Sequence, residues 1–192
     1  MVSIGIDLSI NSTGLVIDEG DRIKYYIITS KNTKKLRDWT DDRVSVVVYH
    51  KVPIDKKTST YSEVEFHKTN NIITIANTIY SILRPYKDQE KVRAYIEGIS
   101  YGSSKTSALA DLAGLNYMVR YVLYQLGIIT FIVSPMENKK FACGIGNADK
   151  DIMVAAWLKC QPDMAEVNKM LKVDDIADAY FLSQYYKKKI NN

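Results

Sequence analysis

Five carboxylates in this chain sit where their type and spacing could do chemistry: Asp7, Glu97, Asp174, Asp175 and Asp178. Asp7 lies near the carboxyl end of the apolar run Val2-Ser3-Ile4-Gly5-Ile6-Asp7-Leu8-Ser9, and Glu97 ends Lys91-Val92-Arg93-Ala94-Tyr95-Ile96-Glu97. Both runs read as strands. A carboxylate at the end of a buried strand is costly unless it is paired or binds a metal. For Asp7 the plainer alternative is a cap on the turn Asn11-Ser12-Thr13-Gly14. The acidic turn Asp174-Asp175-Ile176-Ala177-Asp178 opens the last predicted helix. Asp175 and Asp178 share a face at i, i+3, and Asp174 and Asp178 share one at i, i+4, so spacing does not choose between them. Acids suit a helix N-terminus in any case, but Asp178 lies a turn inside, beside Ala177, Ala179 and Leu182. Four carboxylates in one cleft repel one another unless cations neutralise them. Two hard divalent ions about 4 Å apart would do so, and would also activate water and stabilise a leaving oxygen in phosphodiester cleavage. No His/Cys cluster competes for a metal, because His50 and His67 lie in unrelated elements and Cys143 and Cys160 have no ligand spacing.

The elements that must position these acids follow from pattern. A chain of 192 residues with 46% hydrophobic residues suits one domain, 1–192, with a substantial core. A net charge of +4 permits an anionic partner without demanding one. Two cysteines without a disulfide framework lead us to expect a reducing, cytoplasmic compartment. No basic-apolar-small leader and no apolar run of about 18 residues is present, so neither secretion nor membrane spanning is expected.

Runs at 2–9, 15–18 and 22–29, joined by short turns, predict an antiparallel meander. Val44 to His50 is a further β-branched run, at an edge or in a hairpin. Helical spacing predicts a helix from Tyr61 to Leu83, ended by Arg84-Pro85. The strand ending at Glu97, a Gly/Ser loop from Gly98 to Lys105, a helix from Thr106 to Leu126 closed by Gly127, and a strand from Ile128 to Val133 follow. Ser134-Pro135 opens a short helix, and two more are expected over Asp149–Leu158 and Val173–Lys187. This is an α/β fold, with a mixed five-stranded sheet of order 3-2-1-4-5 flanked by helices. It sets the Asp7 and Glu97 strands side by side, with both acids at the carboxyl ends where such sheets bind ligands. Lys139 and Lys150 flank Gly144-Ile145-Gly146 ahead of a helix N-terminus, an arrangement that suits a phosphate. Solvated surface lysines fit the same pattern. The helix from Thr106 to Leu126 is apolar on more than one side, with Tyr117, Tyr121 and Tyr124 added to Leu109, Leu112, Leu115 and Met118. Either a second copy of the chain or the C-terminal helix is expected to cover the extra face.

Four motifs carry a family resemblance: Gly5-Ile6-Asp7 with Ser9 and Thr13-Gly14; Tyr95-Ile96-Glu97-Gly98; Lys139-Lys140 through Gly144-x-Gly146 to Ala148-Asp149-Lys150; and Asp175-x-x-Asp178-Ala179. In this order and these settings they resemble the RuvC-type Holliday junction resolvases, of ribonuclease H-like fold, and more closely the phage-encoded branch. The resemblance spans Ile4 to Leu182, apart from an inserted segment at about 33–60. It implies that Asp7, Glu97, Asp175 and Asp178 are catalytic and hold two Mg²⁺ or Mn²⁺ ions, which selects Asp175 over Asp174. It also implies a homodimer that nicks two strands of a four-way junction. Lys139 and Lys150 match DNA-contacting positions of the family, with Lys140 beside them. The bacterial enzymes have an aromatic residue shortly after the Glu that wedges into the junction. Here the nearest is Tyr101, offset by one, and packing or a surface hydroxyl accounts for it equally well. The alternative within enzymes is a nuclease of the same fold with a looser choice of branched DNA, such as flaps, Y-junctions or forks. A sugar-kinase or actin-like ATPase shares the Asp and Thr-Gly turn but repeats the fold, and 192 residues leave no room for a second half. A catalytically dead nucleic-acid-binding module is disfavoured, because four idle acids would oppose phosphate binding.

Overall fold

The first strand, β1 (Val2–Asp7), is covered on both faces, for two different reasons. Ile4 and Ile6 point one way and are fully buried in an aliphatic core. Ser3 and Gly5 point the other way and lie against the backbone of a helix; Ser3 donates its hydroxyl proton to the Ser183 carbonyl at 2.5 Å. The computed structural model describes all residues except 52, 54, 56, 100–105, 172–173 and 187–192.

Among the described residues the sheet has six strands, not five. β2 (Ser12–Asp18) and β3 (Ile23–Thr29) complete the expected meander beside β1. β5 (Val92–Glu97) lies parallel to β1, and β6 (Ile129–Val133) parallel to β5, so the predicted order is present. The sixth strand, β4 (Val44–Val48), extends the β3 edge in parallel. A hairpin would have made it antiparallel; the connection from residue 30 to 43, with its single helical turn α1 (Lys34–Arg37), carries the chain back to start again in the same direction.

On one sheet face lie α2 (Tyr61–Leu83), with the boundaries predicted, and α3 (Thr106–Gln125). Thr60 caps α2 in a reciprocal box with Glu63. Ile75, Ile79 and Leu83 of α2 meet Leu115, Val119 and Leu123 of α3 over Ile4, Ile6 and Leu15. This corrects one expectation: α2 supplies the intrachain cover of α3, while the C-terminal helix lies across the opposite sheet face. What remains open on α3 is a tyrosine stripe, with Tyr117, Tyr121 and Tyr124 at 63%, 58% and 77% exposure.

On the other face lie α4 (Pro135–Cys143), α5 (Lys150–Cys160), the short α6 (Ala165–Leu171) and α7 (Asp174–Gln184). Trp157 of α5 is fully buried and meets Tyr25 of β3 edge-on at 6.0 Å between ring centres. α7 runs back along β1, with Asp175 at Gly14, Ala179 at Gly5 and Ser183 at Ser3, and its position sets the site.

Candidate active site

The parallel register of β1 and β5 ends with Ile6 opposite Ile96, so the next residues, Asp7 and Glu97, emerge side by side. Both share the pleat face that looks towards α7. Two glycines decide how near α7 comes. A Cβ at Gly5 would stand 1.9 Å from the Ala179 carbonyl oxygen, and one at Gly14 would stand 2.1 Å from that of Asp175. With no side chain at either position, the first turns of α7 lie directly on β1 and β2. Asp175 and Asp178 therefore reach the strand-borne acids. The structure brings together the four acids that the resemblance implied.

The electrostatics of the cluster follow from burial and crowding. Burial first, and then the charges of Glu97, Asp178 and Asp175, push the Asp7 carboxyl well above its usual range, against an opposing pull from Lys150. Glu97 is raised by burial and by Asp178; Lys139 and a hydrogen bond from Asp7 oppose this, so the pair favours sharing a proton. Burial raises Asp178 to about 6 against the pull of Lys139 and Lys150. Asp175 is raised by burial, offset by a hydrogen bond with Ser12 and by Lys150 and Lys31.

Asp178 Oδ1 is buried with no hydrogen-bond partner. An oxygen-only set of four acids, one with an orphaned oxygen, has the donor chemistry of a hard divalent cation. Among the described residues no three His, Cys, Asp or Glu side chains stand close enough to hold an ion as placed. Binding an ion would require these side chains to rotate towards it.

A pH dependence follows. The Asp178 carboxyl, raised in the folded chain from 3.8 to about 6, keeps a proton that the unfolded chain has already lost. Its contribution is complete below the unfolded value and is lost as pH rises through about 6; Asp7 and Glu97, also raised, act in the same direction. Asp178 alone accounts for roughly 3 kcal/mol, most of it lost between about pH 4 and about pH 7, so the melting temperature in chelator should drop by on the order of 5–10 °C over that range. Mg²⁺ should restore it at the alkaline end, and Asp178→Asn should flatten the curve. A metal-free melting series with no slope over that range would refute the buried, crowded cluster.

The basic residues divide. Lys139, on α4, is partly buried, and its charge acts on Glu97 and Asp178. Lys150, at the start of α5, acts on Asp7, Asp175 and Asp178, but its ammonium is ion-paired with Asp174. Asp174, which spacing alone could not separate from Asp175, is thus the partner of Lys150. Lys140 is solvent-exposed. The free helix N-terminus expected after Gly146 is capped instead: the Asp149 carboxylate accepts from the Ile152 N–H at 2.9 Å, so an arriving phosphate meets an acid there. Tyr101 lies outside the described residues.

Pattern reading missed two asparagines. Asn116 donates to the Glu97 carbonyl at 3.1 Å, and Asn138 donates to the Asp178 carbonyl at 3.2 Å. Both are buried, each with an unpartnered Oδ1. They fix the backbone of two site acids from α3 and α4. The available signal was an amide beside Leu115 on a stripe otherwise apolar.

No family model and no curated protein matches the sequence. Among solved structures the chain is similar to Thermus thermophilus RuvC, at 14% identity over 95% of this chain and 91% of that one, with a TM-score of 0.52. The T. thermophilus RuvC complex with Holliday junction substrate gives 13% identity, 95% and 90% coverage, and a TM-score of 0.57. The yeast mitochondrial Holliday junction resolvase Ydc2 gives 12% identity, 94% and 75% coverage, and 0.54. At such identities the likeness is one of architecture, and the chain has the mixed α/β, ribonuclease H-like fold of the RuvC-type resolvases.

Proposed function

We propose that this protein is a structure-selective DNA endonuclease that resolves four-way junctions by paired nicks, working as a homodimer. The observation that carries this is the meeting of Asp7, Glu97, Asp175 and Asp178 under the charges of Lys139 and Lys150. Of the solved structures of similar fold, one is a yeast mitochondrial Holliday junction resolvase and another is RuvC in complex with Holliday junction substrate.

Asp7, Glu97, Asp175 and Asp178 would hold two Mg²⁺ or Mn²⁺ ions, which supply an activated water and charge stabilisation at the leaving oxygen. The chain's own residues do the rest. Gly5 and Gly14 keep α7 close enough to complete the acid set. Ser12 orients Asp175, and Asn116 and Asn138 hold the backbones of Glu97 and Asp178. Lys139 draws a strand phosphate towards the acids, and Lys150 exchanges Asp174 for phosphate when DNA arrives. The exposed Tyr117, Tyr121 and Tyr124 give a second copy an aromatic face to cover. Tyr101 is our reading of the junction-opening residue, and Lys140 adds a cation at the rim. Our reading of the motif set is a phage-encoded chain that acts in the host cytoplasm, where free Cys143 and Cys160 would be kept reduced.

A panel of labelled four-way junction, flap, Y-junction, fork and plain duplex, each with Mg²⁺ and with chelator, tests the reading. Paired, symmetric cuts in the junction, with Mg²⁺ only, are expected. Equal cutting of flaps and forks would move the protein to the looser debranching class, and no cutting of any branched DNA would overturn the proposal. Light scattering should give twice the 21.9 kDa chain mass. Cleavage by a species of single-chain mass would remove the dimer.

A further inference from the structure

Beyond the acid cluster, on the side of Asp175 nearest β3, runs a groove of about 320 Å³. Its walls include Ser9 from the β1–β2 turn, Ser12 at the start of β2, Thr29 and Lys31 from the end of β3, and Lys150, Asp174 and Asp175. The rim is held in place by specific bonds. Thr29 donates to the Asn11 carbonyl at 2.9 Å and accepts from the Lys31 N–H at 3.1 Å, which pins the backbone from which the Lys31 side chain starts. Lys51 donates to Asn11 Oδ1 at 3.0 Å, so a second ammonium stands on the same turn.

The charges in and around this groove are not equivalent. Lys150 is committed to Asp174, and each offsets the other. Lys31 is exposed and has no carboxylate within ion-pair distance among the described residues. Its charge acts weakly on Asp175, one of the site acids. A free cation beside the Ser9 hydroxyl, in a groove that opens onto the acid cluster, has the donors of a phosphodiester subsite. The groove continues from the cluster, so a strand lying over the acids reaches it without leaving the protein.

We propose that this groove binds a backbone phosphate of the DNA strand being cut, flanking the scissile one, with Lys31 as its cation. The inference rests on the nuclease reading above and adds a contact made by the segment between β3 and β4.

The test uses the Asp7→Asn protein, which keeps DNA intact, and reads affinity for a labelled four-way junction against salt. Lys31→Ala in that background should make the slope of log affinity on log salt shallower by about 0.9, the loss of one phosphate contact. Lys31→Arg should restore it. Lys34→Ala, three residues on at an 87% exposed side chain paired loosely with Asp38, should leave it unchanged. A Lys31→Ala slope equal to the parent's overturns the subsite alone. An unchanged slope with Lys31-dependent competition by inorganic phosphate would mark a free-anion site, and also overturns it. A parent that binds no DNA at any salt overturns both this inference and the nuclease reading.

Discussion

Asp7→Asn is expected to abolish junction cleavage, with a loss on the order of a thousandfold or more, while junction binding survives or tightens. The substitution keeps size and shape, removes one metal-binding oxygen charge from the centre of the cluster, and leaves Glu97, Asp175 and Asp178 in place. Because Asp7 is raised by burial and by those three neighbours, the amide also relieves repulsion that the folded chain bears without metal. The variant should therefore fold at least as well as the parent and melt higher in chelator at neutral pH. Loss of cleavage with gain of stability separates a site residue from a structural one, since a structural Asp would lose both. Near-normal cleavage by Asp7→Asn would remove the residue from the site.

Gly14→Ala should damage cleavage nearly as much from outside the acid set. The added Cβ would stand 2.1 Å from the Asp175 carbonyl oxygen and 2.5 Å from its carbon, both backbone atoms with no side chain to swing aside. The start of α7 must retreat by about 1 Å, and misplacement of that size can cost on the order of a hundredfold in rate. The strain should cost about 1–3 kcal/mol in stability. Gly114→Ala is the matched comparison, because its new Cβ meets only the end of the Ile72 side chain at 3.3 Å. In a helix interior that change gains helix propensity, by about 1 kcal/mol. Cleavage assays on both variants, each checked by melting, decide the matter. Full activity in Gly14→Ala would show that α7 is not seated on β2 as described.

Much of this was legible in one dimension. The helix over Tyr61–Leu83 was written in its period and its Pro85 stop, and it forms with those boundaries. The meander and the pairing of the Asp7 and Glu97 strands followed from short turns and right-handed crossovers. β4 was readable as a strand, but its direction was not, because a parallel partner needs a crossover whose path residue pattern does not record. The tyrosines of α3 were read as surplus apolar surface, and α2 had already supplied the intrachain cover.

The sequence by itself determined the acids, the lysines and the strands and helices that carry them, because periodicity and strand length are local properties of the chain. Only the tertiary structure decided which charge meets which. Asp174 and Asp175 differ by one helical step of about 100°, and that step turns one towards Lys150 and the other towards Ser12 and the cluster. The seating of α7 on Gly5 and Gly14, the asparagines behind Glu97 and Asp178, and the place of Lys31 beside Asp175 are likewise contacts between segments far apart in sequence. Packing brings these segments together, and with them the crowding that raises the acids' affinity for protons.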